Sequence, residues 1–438
     1  MRYTDVYLWE NRVGRLAWDS EKQYSSFVLD SSFLQTQLEF SPILIPLKGI
    51  DASQIYSYSE NRDSKCFVGL PSFIADSLPD KYGKEIIRCY YETKGLIGAD
   101  ITPLHQLSYI GKRGMGAFEF VPAMESEDYT ERIELDVLAA LANDVLQERV
   151  SFKEKLLQKD KSILDILKIG TSAGGAKPKA IIAYNEATGE VRSGQVKAPE
   201  GFDYYLIKFS GSNKNLYTGG GLDDVNEQLS AQIGPIEYAY YLMAKDAGIS
   251  MSYCKLLEEN GVSHFMTKRF DRTASGDKIH MQTMAGIANL DRDYPQTYEM
   301  LFVIANYLKL PYESHKEIFR RMVFNVLSRN HDDHTKNHSF LMNKTGKWSL
   351  APAYDLCYSY DPTGQFTKHH QMYLNGKNDE FTYKDLEVVA RKNNIVEYKE
   401  IIQQVENSVS KWEQFAEEAG VLPDVKLFIN KNLLRIQN

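Results

Sequence analysis

Asp332 and Asn337 stand five residues apart in the run Asn330-His331-Asp332-Asp333-His334-Thr335-Lys336-Asn337, and a further carboxylate follows in Ala353-Tyr354-Asp355. A carboxylate able to take a proton from a hydroxyl, with an amide oxygen and a second carboxylate to hold a hard cation, is the set that phosphoryl transfer uses. Mg²⁺ takes oxygen ligands in an octahedron and keeps several waters, so Asn337, Asp355 and nucleotide phosphates make a sensible shell. Asp332 is then left as the base, and Lys336 as the cation that neutralises the transferred group. Asp333 and His334 are read as residues that tie the loop together.

These groups need elements on both sides to hold them. A helix over 317–327, with Phe319, Met322, Val323 and Val326 at helical spacing, would deliver the chain into the loop. A hairpin of 339–342 and 348–350 around Lys344-Thr345-Gly346 would return it to Asp355. Upstream, Gly170-Thr171-Ser172-Ala173-Gly174-Gly175-Ala176-Lys177-Pro178-Lys179 is a run of small residues whose backbone N–H groups can approach phosphate, ahead of a strand at 180–184. Alone it is a plain glycine-rich turn as readily as a phosphate loop. After a turn at Thr188-Gly189 and a strand at 190–196, the β-forming segment 203–209 carries Lys208, which is costly in a buried strand unless it meets an anion. Glu237, opening a helix over 236–247 behind Pro235, is its natural partner; an acidic residue there is also favoured by the helix dipole alone. Strands at 253–258 and 262–270 flank Asn260-Gly261, a strong hairpin signal, and end in Lys268-Arg269-Phe270-Asp271-Arg272, where main-chain groups could meet adenine.

The amino-terminal part reads as a small β-rich module. Strands at 5–9 and 13–18 are joined by a turn at Asn11-Arg12, a helix within 75–91 can begin after Pro79, and a glycine-rich stretch from Gly111 to Gly116 precedes a strand at 117–121. A helical region over 134–159 carries the next boundary, which gives three segments, 1–125, 126–270 and 271–438. With 438 residues, 43% hydrophobic and 25% charged, the chain has the composition of globular proteins. No apolar run reaches the ~20 residues that span a bilayer. Cys66, Cys89, Cys254 and Cys357 form no C-x-x-C pair, so a cytoplasmic protein with reduced thiols and no membrane association is expected. A net charge of -8 argues against a bulk electrostatic grip on nucleic acid, so any DNA contact would run through a partner.

Two other chemistries stay open on these residues. His331, Asp332, Asp333, His334 and His338 would suit a transition-metal hydrolase, although that leaves Lys208, the glycine run and Asp355 unexplained. A nucleotide-binding module without turnover could use the same fold, although Lys208, Asp332, Asn337 and Asp355 together speak against it.

Taken in order, Ser172 to Lys179, Leu206-Ile207-Lys208, Lys268 to Arg272, Asp332 to Phe340 and Ala353-Tyr354-Asp355-Leu356 resemble the HipA-type serine/threonine kinases of bacterial toxin-antitoxin modules. The similarity reaches the amino-terminal part through Asn11-Arg12-Val13-Gly14, Asp76-Ser77-Leu78-Pro79-Asp80 and Gly111 to Pro122. The resemblance implies an α+β, protein-kinase-like two-lobed fold, with a β-rich nucleotide lobe and a helical catalytic lobe behind a family-specific amino-terminal subdomain. It implies ATP and Mg²⁺ as cofactors. Gly174, Gly175, Ala176, Lys177 and Lys179 would line the phosphates with Lys208, Lys268 and Phe270 would meet adenine, and Tyr354, Glu237 and His334 would complete the nucleotide-facing set. Asp332 would accept the proton, Asn337 and Asp355 would hold magnesium, and Ser172 would be autophosphorylated. The implied partners are a helix-turn-helix, HipB-like antitoxin that carries the complex to operator DNA, and a translation component such as an aminoacyl-tRNA synthetase as substrate. Lys268 departs from the acidic residue of the family's best-known member.

Overall fold

A computed structural model describes residues 2–79, 81–123, 179–210, 228, 229 and 231–436. The chain divides into two compact units, Met1–Phe209 with Met266–Asp291 and Leu341–Lys347, and Ser210–Phe265 with Arg292–Phe340 and Trp348–Asn438. The expected helix over 134–159 lies outside the described residues.

The first unit opens on an antiparallel sheet ordered β4-β3-β2-β1-β5, from Tyr3–Leu8 (β1), Asn11–Asp19 (β2), Tyr24–Leu29 (β3), Ile55–Ser57 (β4) and Phe118–Val121 (β5). Strand side chains alternate between faces, and here one face is apolar: Val6, Leu8, Val13, Leu16 and Phe27 are buried. Phe73 packs edge-on against Phe27 and Phe40, with ring centroids 5.8 and 5.5 Å away. The first turn falls at Trp9–Glu10 rather than at Asn11-Arg12. Leu8 pairs with Asn11, which fixes a two-residue connection, and Trp9 and Glu10 take φ of 46° and 70°. Asn11 serves that turn from inside β2, its Nδ2 donating to the Trp9 carbonyl at 3.0 Å. The helix expected within 75–91 is two elements, Ser72–Ala75 and Lys81–Thr93. Pro79 separates them, because the residue before a proline is pushed out of the helical region.

Lys179–Tyr184 (β6) pairs antiparallel with Val191–Ser193 (β7) and with Asp203–Lys208 (β8), and the β6/β8 register sets Lys179 directly opposite Lys208. Just beyond Met266–Asp291's opening strand residues, the motif Lys268 to Arg272 turns out to be largely interior. Asp271 is fully buried and accepts from Arg269 Nε at 2.8 Å, Arg269 Nη2 at 2.7 Å, Arg272 Nη1 at 2.9 Å and the Gly116 N–H at 2.8 Å. Arg272 Nη2 donates to the Gly114 carbonyl at 2.9 Å. Burial alone would raise the Asp271 carboxyl, but the two guanidiniums and the Gly116 bond hold it well below the usual carboxylate range. The glycines upstream make this approach possible: Gly116 has φ +69°, and a Cβ there would sit 3.0 Å from the Met281 nitrogen.

The second unit is mainly helical. Tyr312–Leu327 packs on Tyr398–Ser410, and Ile233–Asp246 on Trp412–Glu418. Tyr240 joins these layers, its ring edge-on to Trp412 at 5.5 Å and its hydroxyl donating to the Ser328 carbonyl. Cys254–Glu259 and Val262–Lys268 form the expected hairpin, with Asn260 and Gly261 at φ 51° and 78°.

Replacing Asp271 by Asn should cost roughly 3–5 kcal/mol, because it leaves buried guanidiniums uncompensated; urea unfolding followed by tryptophan fluorescence measures it. A pH dependence follows from two buried histidines, His264 and His280, both pushed down to about 4 by burial. They stay neutral in the fold while the unfolded chain binds protons near about pH 6.5. Stability therefore falls as pH drops from there towards about 4. Thermal midpoints across this window should fall with acid, less steeply in a His264→Gln, His280→Gln double variant; equal slopes would refute the assignment.

Candidate active site

The helix Tyr312–Leu327 buries Ile318, Phe319, Met322, Val323 and Val326, so the chain leaves it from a fixed core position. Arg329 then takes φ 57° and redirects the backbone into the loop beginning at Asn330. Asn330 Nδ2 donates to Asn325 Oδ1 at 3.0 Å, and Ser359 Oγ donates to Asn330 Oδ1 at 3.3 Å. The same Ser359 oxygen accepts from the Asp332 N–H at 2.9 Å. The loop closes through Asn337, whose Nδ2 donates to the Asp332 carbonyl at 2.7 Å and whose N–H donates to the His334 carbonyl at 2.8 Å. With its nitrogen committed to the loop, the Asn337 amide has its oxygen left as the atom suited to a hard cation.

Asp332 keeps 48% of its side chain exposed, enough for a substrate group to reach it. Gln371 Nε2 donates to its Oδ1 at 2.6 Å, and His334 Nε2 stands 3.7 Å from the same oxygen. Its recessed setting raises the Asp332 carboxyl; His334 opposes that and the neighbouring Asp355 charge adds to it. Asp355 itself sits at φ 57°, a left-handed conformation uncommon for a residue with a Cβ. Tyr354 beside it donates its hydroxyl to the Lys336 carbonyl at 2.6 Å and lies 2.5 Å from Ser339 Oγ, which locks the start of the Asp355 segment to the loop.

Asp333 points the other way, into the interior. Its Oδ1 accepts from the N–H groups of Gln371 at 2.9 Å and Met372 at 3.2 Å, and its Oδ2 accepts from Tyr298 at 2.7 Å and His370 Nδ1 at 2.9 Å. Burial alone would raise this carboxyl, but His370, Tyr298 and the Met372 bond hold it below its ordinary value. Met372 continues into a short parallel pairing in which Gln296 and Thr297 face Met372 and Tyr373. Asp333 thus ties the loop as expected.

The metal-hydrolase reading loses its ligand set. His331 Nδ1 donates to the Thr367 carbonyl at 3.0 Å and its ring packs on His370 at 4.0 Å, while His338 lies edge-on to Tyr298 at 5.7 Å. Burial pushes His338 down to about 4. Among the described residues, no group of three or more His, Cys, Asp or Glu stands where it could hold a metal ion.

The second unit therefore brings together Asp332, His334, Lys336, Asn337, Tyr354 and Asp355, and also contains the buried Glu237. Lys179, Lys208, Lys268 and Phe270 belong to the first unit. Lys179 is buried and Lys208 half-buried, and the two stand directly opposite each other in the β6/β8 register. Lys268 pairs with Asp203 at 2.7 Å, and the Arg269 N–H is committed to the Tyr204 carbonyl at 2.8 Å. Ser172, Gly174, Gly175, Ala176 and Lys177 lie outside the described residues. Sequence reasoning missed Tyr298, Ser359, His370 and Gln371. A paired Asp332-Asp333 signals that one carboxylate needs interior donors, but nothing in the chain says which residues supply them.

A family model described as HipA-like C-terminal domain matches residues 171–412, and one described as HipA N-terminal domain matches residues 4–121. The HipA of Shewanella oneidensis MR-1, solved with HipB and operator DNA, aligns with a TM-score of 0.61 at 19% identity, covering 98% of this chain and 94% of that one. The fold is the α+β, kinase-like one expected from the resemblance. A Haemophilus influenzae protein with a provisional kinase designation is 29% identical over 158 residues, 30% of this chain. The match spans about half, 46%, of that curated relative's length.

An Asp333→Asn variant would present its own N–H groups to donors and lose at least two of the four bonds. The expected cost is on the order of 3 kcal/mol, since a bond to a charged group contributes about 1.5 kcal/mol or more. Chemical denaturation reads it, and a change under 1 kcal/mol, roughly one neutral bond, would contradict the described clamp.

Proposed function

The chain belongs to the HipA family, and from that premise we propose that it is an ATP- and Mg²⁺-dependent serine/threonine protein kinase, the toxin of a bacterial toxin-antitoxin pair. The observation that carries this reading is the loop geometry: a half-exposed Asp332 carboxylate, backed by Asn337 on the same loop and beside Asp355. The donor set fits magnesium, being an amide oxygen and a carboxylate with no soft ligand. When bound, Mg²⁺ neutralises charge on the nucleotide phosphates and orients them.

The residues of the chain do the rest. Asp332 orients the substrate hydroxyl and receives its proton as the hydroxyl oxygen bonds to the γ-phosphorus and the bond to the β,γ-bridging oxygen breaks, releasing ADP. Lys336 neutralises the transferred group, and Lys179 and Lys208 draw the phosphates to the end of their sheet. Gly174, Gly175, Ala176 and Lys177 contact phosphate oxygens and main chain at Lys268 and Phe270 contacts adenine, while Glu237, His334 and Tyr354 are the nucleotide-binding residues of the second unit. The segments 1–125, 126–270 and 271–438 correspond to the amino-terminal subdomain, nucleotide lobe and catalytic lobe.

Autophosphorylation on Ser172 would put about -1.5 to -2 charges where ATP phosphates bind, a direct route to self-inactivation. The Shewanella relative, solved with HipB and operator DNA, supports a helix-turn-helix antitoxin as partner and DNA contact through it. A translation component such as an aminoacyl-tRNA synthetase is the proposed substrate, in the cytoplasm. No described helix is long and apolar enough to cross a membrane.

Intact mass and peptide mapping after incubation with Mg-ATP test the reading. Wild-type protein, dephosphorylated beforehand, should gain one phosphate on Ser172. Asp332→Asn should lose about 10²–10⁴-fold in rate, the range expected for a general base. Nucleotide binding without any transfer would favour a silent module instead. Asp355→Asn should abolish the magnesium dependence of ATP binding, read by calorimetry with and without the ion.

A further inference from the structure

We infer that Gln371 is a positioning residue for phosphoryl transfer: its side-chain amide fixes the Asp332 carboxylate, and the Asp333 clamp fixes Gln371. This role rests on the kinase reading above.

The inference starts from the two neighbouring aspartates and the three consecutive residues that meet them. His370, Gln371 and Met372 all donate to the buried Asp333, two of them through main-chain N–H groups. The Gln371 N–H also lies 3.3 Å from the His331 carbonyl. The Gln371 backbone is therefore pinned independently of its side chain. That side chain turns towards Asp332 and makes a 2.6 Å bond to Oδ1. Among the described residues no hydrogen bond engages Asp332 Oδ2, so the pair of oxygens is differentiated: on a side chain that is 48% exposed, one oxygen is held by the protein and the other is not.

Differentiation of this kind matters for a general base. A carboxylate rotating about its Cβ–Cγ bond offers either oxygen in a range of directions, and effective catalysis needs the acceptor within hydrogen-bond reach of the hydroxyl in one defined direction. The donor is also suited to the task. A neutral amide orients the carboxylate without the full charge neutralisation that Lys or Arg would bring, so Asp332 stays a proton acceptor while Lys336 acts elsewhere. Because Met372 enters the pairing with Gln296, the same segment registers the base against the start of the helix Tyr298–Tyr307, which supplies Tyr298 to the clamp.

Gln371→Met keeps length and removes the donor; Gln371→Glu keeps shape and sets a carboxylate against Asp332. Neither touches the main-chain bonds to Asp333. The experiment follows initial rates of self-phosphorylation by the full chain over a range of Mg-[γ-³²P]ATP concentrations, beside thermal midpoints of the same proteins. The expected result is a drop of at least about tenfold in maximal rate for both variants, equivalent to ~1.4 kcal/mol. The half-saturating Mg-ATP concentration and the thermal midpoint should stay at wild-type values. Wild-type maximal rate in Gln371→Met would overturn the role, as would a fall in rate that tracks a fall in midpoint, which would make Gln371 a strut. A wild-type chain that transfers no phosphate overturns the kinase reading itself and this role with it, an outcome separate from a variant that stays active.

Discussion

Everything around the candidate site depends on one buried carboxylate. Asp333 cannot remain ionised in the interior without donors on all sides, and it has four: two main-chain N–H groups, a tyrosine hydroxyl and an imidazole. Meeting that demand draws the segment His370 to Met372 and the start of the helix Tyr298–Tyr307 onto the loop. Asp332 is placed as a consequence. A buried residue thus controls the position of its half-exposed neighbour.

The first unit uses the same device. Asp271, equally buried, gathers Arg269, Arg272 and the Gly116 N–H, so the amino-terminal β-rich module and the segment following Val262–Lys268 are joined through one anion. Breaking one partner of such a buried charged cluster is far more damaging than its net stabilisation suggests, because the remaining charges stay buried without compensation. That cluster also changes how Lys268 to Arg272 is understood. Three of its five residues serve the interior, while Lys268 and Phe270 are half-buried and Lys268 pairs with Asp203.

The family relationship and the local chemistry meet in the Asp332 loop. The family models span both the amino-terminal part and the bulk of the remainder, and the fold agrees with that of a HipA solved from another bacterium. At 19% identity, this agreement concerns the fold, while the proposed transfer rests on the geometry of Asp332, Asn337 and Asp355.

The sequence by itself determined the local elements and the chemical inventory. Period-two alternation marked the first strands, Asn260-Gly261 marked a hairpin whose residues do take positive φ, and Pro79 marked a helix boundary, because each of these follows from backbone sterics within a few residues. The order of the motifs identified the family. Tertiary structure alone decided the turn at Trp9–Glu10, which the Leu8 to Asn11 register imposes, and the identity of the groups that hold the aspartates. Ser359 and Gln371 lie 27 and 39 residues from Asp332, and a hydrogen bond across that separation has no local periodicity to reveal it. It also decided that the histidines of the loop do not converge as a metal site, since burial and ring packing send them to separate partners. A carboxylate in the sequence states a requirement for donors; only the folded chain determines which residues meet it.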